Sequence, residues 1–321
     1  MATATSHDPR GRDAATPTQM PAKGWTEALK RAWKESGDDN LNLIAAGVSF
    51  YAFLTIVPIL GALVLVYGFI ADPATLVRHV QSLASVMPAE AAKLIGEQLM
   101  GVVTANGSKK GLGVLLALGL ALYGASKGMG AIVTALNIAY DEKEKRGFFK
   151  RLLLTLAMVV GALLLVIMLI FAGSVTGALG RLLPFSSPVV VFLLKVLSWV
   201  VTAALLSAGI AALYRYAPAR DKAKWSWLTP GSIIATVGIG VASILFGIYV
   251  SNFGNYNATW GSLGAVVVLL TWLNLSAFIL LLGAEVNAEL EHQTERDTTS
   301  GPEQPLGTRG AEMADRVAPE A

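Results

Sequence analysis

Lys127 lies in YGASKGMG, residues 123–130, between LGVLLALGLALYGAS and AIVTALNIAY, two flanks made almost wholly of apolar residues. An ammonium group in such a stretch is suited to one kind of chemistry, holding an anion. A charge at the centre of a bilayer costs ~2.5–3.5 kcal/mol on insertion scales, so it must meet protein, water or a counter-charge there. A helix turns ~100° per residue, which puts Thr134, Asn137 and Asp141 within about 80° of Lys127. They form a polar stripe along the second half of the stretch. On a later apolar stretch Glu285 and Thr271 fall within about 60° of Asn274 by the same geometry. On the first, Asn42 and Ser49 are seven residues apart and share a face. If the three stripes face one another they line a cavity, with Lys127 as its positive charge and Glu285 as a partner near the mouth. The ligand of such a site is a phosphate or carboxylate, carried by a lipid or a small solute. The alternative is a buried or snorkelling lysine that fixes helix packing, and the residues leave both readings open.

Other chemistries find little footing. His7, His79 and His292 are scattered, no His-Glu-x-x-His spacing occurs and cysteine is absent, so no metal or cofactor is expected. No nucleophile and base, and no acid and base, converge by spacing, so the expectation is a protein that is not an enzyme. The run DEKEKRGFFKR at 141–151 is too short and too mixed for a nucleic-acid patch and reads as an interfacial anchor.

The elements that position these residues are set by composition. Of 321 residues, 54% are hydrophobic and 15% charged, against about 25% charged in a soluble domain. Six stretches, at 44–70, 112–136, 152–176, 189–213, 231–251 and 261–285, reach the ~20 apolar residues that a spanning helix needs. The fold class expected is an all-α polytopic membrane protein of six transmembrane helices. Two short amphipathic helices between the first and second spans follow from helical spacing on both sides of Pro88. Lysine and arginine are distributed unevenly: eighteen of 25 lie in 1–43, 137–151, 214–230 and the segment from 286 onward. The positive-inside rule then places both termini in the cytoplasm. Residues 1–24 and 293–321 are polar and rich in Pro, Gly and Thr, and are expected to be disordered tails around a membrane domain at 25–292.

Lys195 sits near the outer end of its span and can snorkel. Gly124 and Gly128 form a G-x-x-x-G pair, as do Gly173 and Gly177, and both are expected to serve close helix packing. They permit self-association without requiring it, and the oligomeric state stays open. Pro58 removes a backbone hydrogen bond in the first span and is a candidate kink.

Three stretches resemble a known group. AAGVSFYAFLTIVPIL at 45–60, YGASKGMGAIVTALNIAYDEKEKRGFF at 123–149 and GSLGAVVVLLTWLNLSAFILLLGAEVNAELE at 261–291 are similar to the YihY/BrkB family of bacterial inner-membrane proteins. The resemblance covers roughly 25–292. It implies six spans with both termini inside, and a bacterial cytoplasmic membrane. It also brings two labels, virulence factor BrkB and ribonuclease BN. The second conflicts with the scattered histidines and short soluble loops, because a metal-dependent nuclease needs clustered ligands in water. The resemblance carries over no catalytic residue. Two functions remain: a transporter or lipid-handling protein with a cytoplasm-facing cavity around Lys127, or a non-transporting scaffold of the cell envelope.

Overall fold

The structure, a computed structural model, describes residues 8–68, 93, 96–97, 112–182, 188–253 and 262–319. After a 3-10 turn at Pro17–Gln19 come α1 (Ala22–Asp38), α2 (Leu41–Gly68), α3 (Leu112–Ala139), α4 (Phe148–Leu182), α5 (Pro188–Tyr216), α6 (Trp225–Phe253), α7 (Ser262–Gln293) and a short α8 (Glu312–Asp315). The described residues contain no strand, only an isolated bridge between Ala223 and Thr299. The chain is therefore all-helical, as its apolar runs require.

Four of these helices, α4 to α7, are long and apolar enough to cross a membrane. A fifth crossing is reached if α1 and the first part of α2, bent by 68°, count as one broken span. The expected count of six is not reached by that measure among the described residues. The two amphipathic helices expected between the first and second spans lie outside the described residues, apart from a Lys93–Glu97 pair one turn apart.

α1 is amphipathic and not apolar. Gly24, Ala28, Ala32 and Ser36, four residues apart, make its buried edge. It packs on α7, where Ala28 and Ala32 share a buried cluster with Val286 and Leu290 and with Trp227 of α6. The Trp227 ring is fully buried there, whereas Trp225 is half exposed. Asn40, at φ +55°, makes the corner between α1 and α2. Asparagine tolerates the left-handed region because its side chain is short and polar.

From α2 onward each helix packs on the next, and α7 returns to α2, which closes a ring of six. α7 also reaches across to α3 and is the element most surrounded by others. The core of the ring is built from small residues (Ala45, Ala135, Ala211, Ala235, Ala277, Ala284) with Leu41, Val133, Leu136, Tyr214 and Leu281 between them. Small side chains let backbones approach, which is the usual source of helix association where lipid offers no hydrophobic drive. Large apolar residues such as Phe171, Phe192, Trp199, Ile244 and Leu245 point outward. That inversion is expected when the solvent is hydrocarbon.

The two terminal segments differ from the expectation of disorder. Residues 8–21 and 294–319 fold over the end of the bundle that also carries loops 140–147 and 217–224. The Glu295 and Thr294 groups donate to the Arg12 and Ala14 carbonyls. Lys224 N–H donates to Thr298 O, and Glu312 N–H to Glu142. Arg309 is buried and holds the loop around it by donating to the carbonyls of Glu295, Arg296, Gln304 and Ala314. Polar segments that lack an apolar core of their own are ordered here because the bundle end supplies partners. All four lysine- and arginine-rich segments thus meet at one polar end.

Candidate functional site

The predicted polar stripes do not converge on one cavity. They are divided by α2 into two grooves. One lies between α2, α3 and α4, has a volume of about 550 Å³, and contains Lys127, Thr134, Ser126, Tyr51 and Arg151. The other lies between α2 and α7, is about 590 Å³, and contains Asn42, Ser49, Thr271 and Asn274. The stripe of α3 therefore faces one side of α2, and the stripe of α7 the other.

In the first groove Lys127 is exposed. Its Nζ lies 5.3 Å from the centroid of the Tyr123 ring, a cation–π distance. Thr134 lies two turns further along the same face, a rise of roughly 10 Å. Its hydroxyl donates to Gly130 O at 2.9 Å and accepts from Arg151 Nη2 at 2.8 Å. Arg151 comes from the first turn of α4 and reaches back across the helix pair, with Glu144 4.0 Å from its Nε. The remaining wall is apolar: Ile44, Val48, Ala131, Ile138, Phe148 and Leu152. Among the described residues no carboxylate lines the groove.

Beside this groove the approach of α3 to α2 depends on Gly128. A Cβ there would stand 2.5 Å from the Thr55 hydroxyl and 3.4 Å from the Tyr51 carbonyl. The Thr55 hydroxyl is itself turned onto Tyr51 O at 2.5 Å. The close approach expected of Gly128 is real, and α2 is the partner helix. Gly124 beside it is half buried. Gly173 and Gly177 fall on the backbone of α4, and Pro58 on that of α2, but their side-chain surroundings lie outside the described residues.

Two members of the predicted stripe leave the groove. Asn137 is buried; its Oδ1 accepts the Ala219 N–H at 2.7 Å and its Nδ2 donates to Glu144 at 3.2 Å, tying the two polar-end loops together. Asp141 is exposed with φ +55° and closes α3 in a left-handed turn, after which Glu142 N–H bonds Asn137 O at 2.7 Å. Its work is capping.

Glu285 is not the partner of Lys127. Neither forms an ion pair among the described residues. Glu285 is fully buried, and the charges around it are Asp39, Glu289, Asp141 and Glu35, all acidic. Asp39 lies within hydrogen-bonding reach of it. Among the described residues no group of three or more histidines and carboxylates is placed to hold a metal.

Sequence reasoning missed the network below Glu285, where α7 is buried on all sides for its last turns. Asn287 Oδ1 accepts the Gly231 N–H at 2.7 Å, and its Nδ2 donates to Leu228 O at 3.1 Å, flanking Pro230 inside α6. Glu291 meets Arg220 at two points, 2.9 and 2.7 Å, with both side chains sealed from solvent. Arg220 also lies 4.7 Å from the Tyr140 ring. Burial holds the Tyr140 phenol well above its ordinary range, so it stays neutral. Glu289 pairs with Arg31 at 2.5 Å, and Arg31 also donates to Gln293. The available signal was the density of acids in AEVNAELE at a span end, facing loops that hold only a few arginines.

At the rim, Arg146 grips Glu144 with two hydrogen bonds, 2.7 and 2.8 Å, and donates to Ala217 O. That contact holds the Glu144 carboxyl below the usual range, against the opposing effect of partial burial. Burial raises its neighbour Glu142, although the Glu312 N–H, Arg220 and Lys145 oppose that shift.

A ring of apolar helices with lipid-facing side chains, one polar end and inter-helix grooves defines an integral membrane protein. The chain belongs to the Virulence factor BrkB family, whose model matches residues 32–307. It is 39% identical over 184 residues to the putative ribonuclease-like protein YfkH of Bacillus subtilis, covering 56% of this chain and 66% of that one. It is 26% identical to a UPF0761 membrane protein of Albidiferax ferrireducens, over 86% of this chain and 64% of the relative. A UPF0761 membrane protein of Idiomarina loihiensis is 26% identical over 82% of this chain and 90% of its own. The chain spans a little under two thirds of the length of the first two relatives. No solved structure matches.

Proposed function

We propose that this protein handles anionic lipid, and that the groove between α2, α3 and α4 receives a phospholipid. The headgroup meets Lys127 and Arg151 while an acyl chain lies along Ile44, Val48, Ile138 and Leu152. One observation carries the reading: two cations from different helices line a single groove that, among the described residues, no carboxylate lines, and one of them, Lys127, has no ion pair there. The apolar wall favours a lipid over a small solute. Arg151 lies toward the polar end and Lys127 roughly 10 Å deeper by helix rise, so the groove offers an anion two stations at different depths. Transport is the natural extension of such a ladder. In this reading the polar end is cytoplasmic and the membrane is the bacterial inner membrane, supported by the eighteen of 25 basic residues gathered there. The role is non-enzymatic; the ribonuclease-like name belongs to the Bacillus subtilis relative.

The test is native mass spectrometry of the full chain released from mild detergent, beside Lys127→Ala and Arg151→Ala. Wild type is expected to retain phosphatidylglycerol, and each variant to lose most of it. A scaffold with no lipid site predicts equal retention in all three, and that result would discard the reading. Flux of labelled lipid in liposomes then separates binding from transport.

A further inference from the structure

We infer that the polar end carries a second anion site, independent of the Lys127 groove, for a phosphate or pyrophosphate group. It is a pocket of about 470 Å³ between loop 140–147, the end of α5 with loop 217–224, and the C-terminal segment. Lys145, Arg146, Arg215, Arg220 and Lys222 line it, against one carboxylate, Asp221.

The charges are not all spoken for. Arg146 is taken up by Glu144, Arg220 by Glu291, and Lys145 stands 3.8 Å from Glu142. Arg215 and Lys222 face no carboxylate within ion-pair distance among the described residues. Arg215 donates instead to neutral acceptors, Ala223 O and, at 3.1 Å, Ser300 Oγ, and lies over the Trp225 and Tyr216 rings at 4.9 and 5.8 Å, while Lys222 lies over Tyr216 at 5.0 Å. Arg220 adds a second, independent sign. Its side chain is 2% exposed, yet Nη1 has no acceptor among the described residues. A buried guanidinium donor left unpaired is costly, and an anion oxygen is the acceptor best matched to it. Two arginines and two lysines with rotatable or forked donors suit a tetrahedral oxyanion, which needs several donors around it.

One wall belongs to the C-terminal segment. Gly310, at φ +68°, accepts the Asp221 N–H at 3.0 Å, and a Cβ there would stand 2.7 Å from the Asp221 carboxylate. Filling the pocket therefore clamps the segment to the bundle. The site couples anion binding to docking of residues 294–319.

The experiment uses the full chain, delipidated in mild detergent, titrated with sodium pyrophosphate against sodium chloride of equal ionic strength. Melting temperature is read together with the rate of tryptic cleavage at Arg296 and Arg309. Pyrophosphate is expected to raise the melting temperature of wild type by about 2–4 °C at saturating excess and to slow cleavage several-fold. Lys127→Ala should respond equally. Lys145→Ala/Lys222→Ala removes two exposed cations without touching the buried pair, and should lose most of both effects, with Lys145→Arg/Lys222→Arg retaining them. No response in wild type, or an undiminished response in the alanine double variant, overturns the site. Repeating the titration in nanodiscs identifies the natural source. A response kept in phosphatidylcholine but lost in phosphatidylglycerol means that a lipid headgroup occupies the pocket, and a response kept in both means a free phosphate.

Discussion

Asn287 on α7 accepts the backbone N–H of Gly231 on α6 at 2.7 Å, one residue past the proline that interrupts that helix. Proline supplies no N–H and crowds the carbonyl one turn before it. The same amide donates to Leu228 O, so one fully buried side chain serves the backbone on both sides of Pro230. Gly231 and Gly283 leave the room that this needs, since a Cβ on either would collide with the other's carbonyl.

Asn287→Leu should therefore be among the most damaging single changes outside the grooves. It strands a buried donor and a buried acceptor at about 1–3 kcal/mol each. A fall in melting temperature of full-length protein in detergent checks this. A variant as stable as wild type would show that the amide is dispensable.

Gly128 and Thr55 form a testable pair. Gly128→Ala should cost about 1–3 kcal/mol by overpacking, because its new methyl meets the Thr55 hydroxyl. Thr55→Ala removes the obstructing atom, so the double variant should recover part of the loss. A double-mutant cycle on chemical unfolding measures that coupling. Simple additivity would mean that the two helices adjust independently.

The sealed pair of Arg220 and Glu291 should behave asymmetrically. Arg220→Met leaves Glu291 buried without its partner and should cost about 3–5 kcal/mol. The double change Arg220→Met/Glu291→Leu should be far milder, because it removes both desolvated charges. Limited proteolysis adds a second readout, since Thr298 of the C-terminal segment hydrogen-bonds Glu291 at 2.7 Å. Arg220→Met should speed cleavage after residue 294.

Acid should loosen the rim through Glu144. Arg146 depresses its carboxyl in the folded state, so its contribution is fully present above the unfolded value of about 4.3. The contribution is lost as pH falls through the lower folded value. Melting temperature measured from pH 6 down to pH 3 should fall more steeply for wild type than for Glu144→Gln, which has no proton to gain. Parallel curves would assign the acid limb to other carboxylates.

Much of the architecture was legible because a spanning helix is a local property. Twenty apolar residues in a row need no partner to announce themselves, and a 100° turn per residue puts Lys127 and Thr134 on one face whatever surrounds them. The gathering of basic segments at one end followed from their spacing between spans. The close approach at Gly128 was legible as a pair of small residues, but its partner Thr55 was not.

What the tertiary structure decided was which neighbour each polar residue meets. Thr134 and Asn137 differ by only about 60° around α3, yet one opens to a groove and the other is sealed against Ala219. Arg151, the second cation of the groove, arrives from the next helix, and no spacing within α3 could reveal it. A partnership of Glu285 with Lys127 needs the stripes of α3 and α7 to face one another, but the fold turns them apart and sets carboxylates around Glu285. The terminal segments have the composition of disorder and are nonetheless folded, because Arg12, Glu142, Lys224 and Glu291 lie where their backbone and hydroxyl groups can reach. Sequence alone determined that the chain is helical and made for a membrane, since that depends on each segment's own contact with lipid. Pairing of buried polar groups joins residues far apart in the chain, from 56 positions for Asn287 and Gly231 to 258 for Arg31 and Glu289, and only the closed ring of helices brings them together.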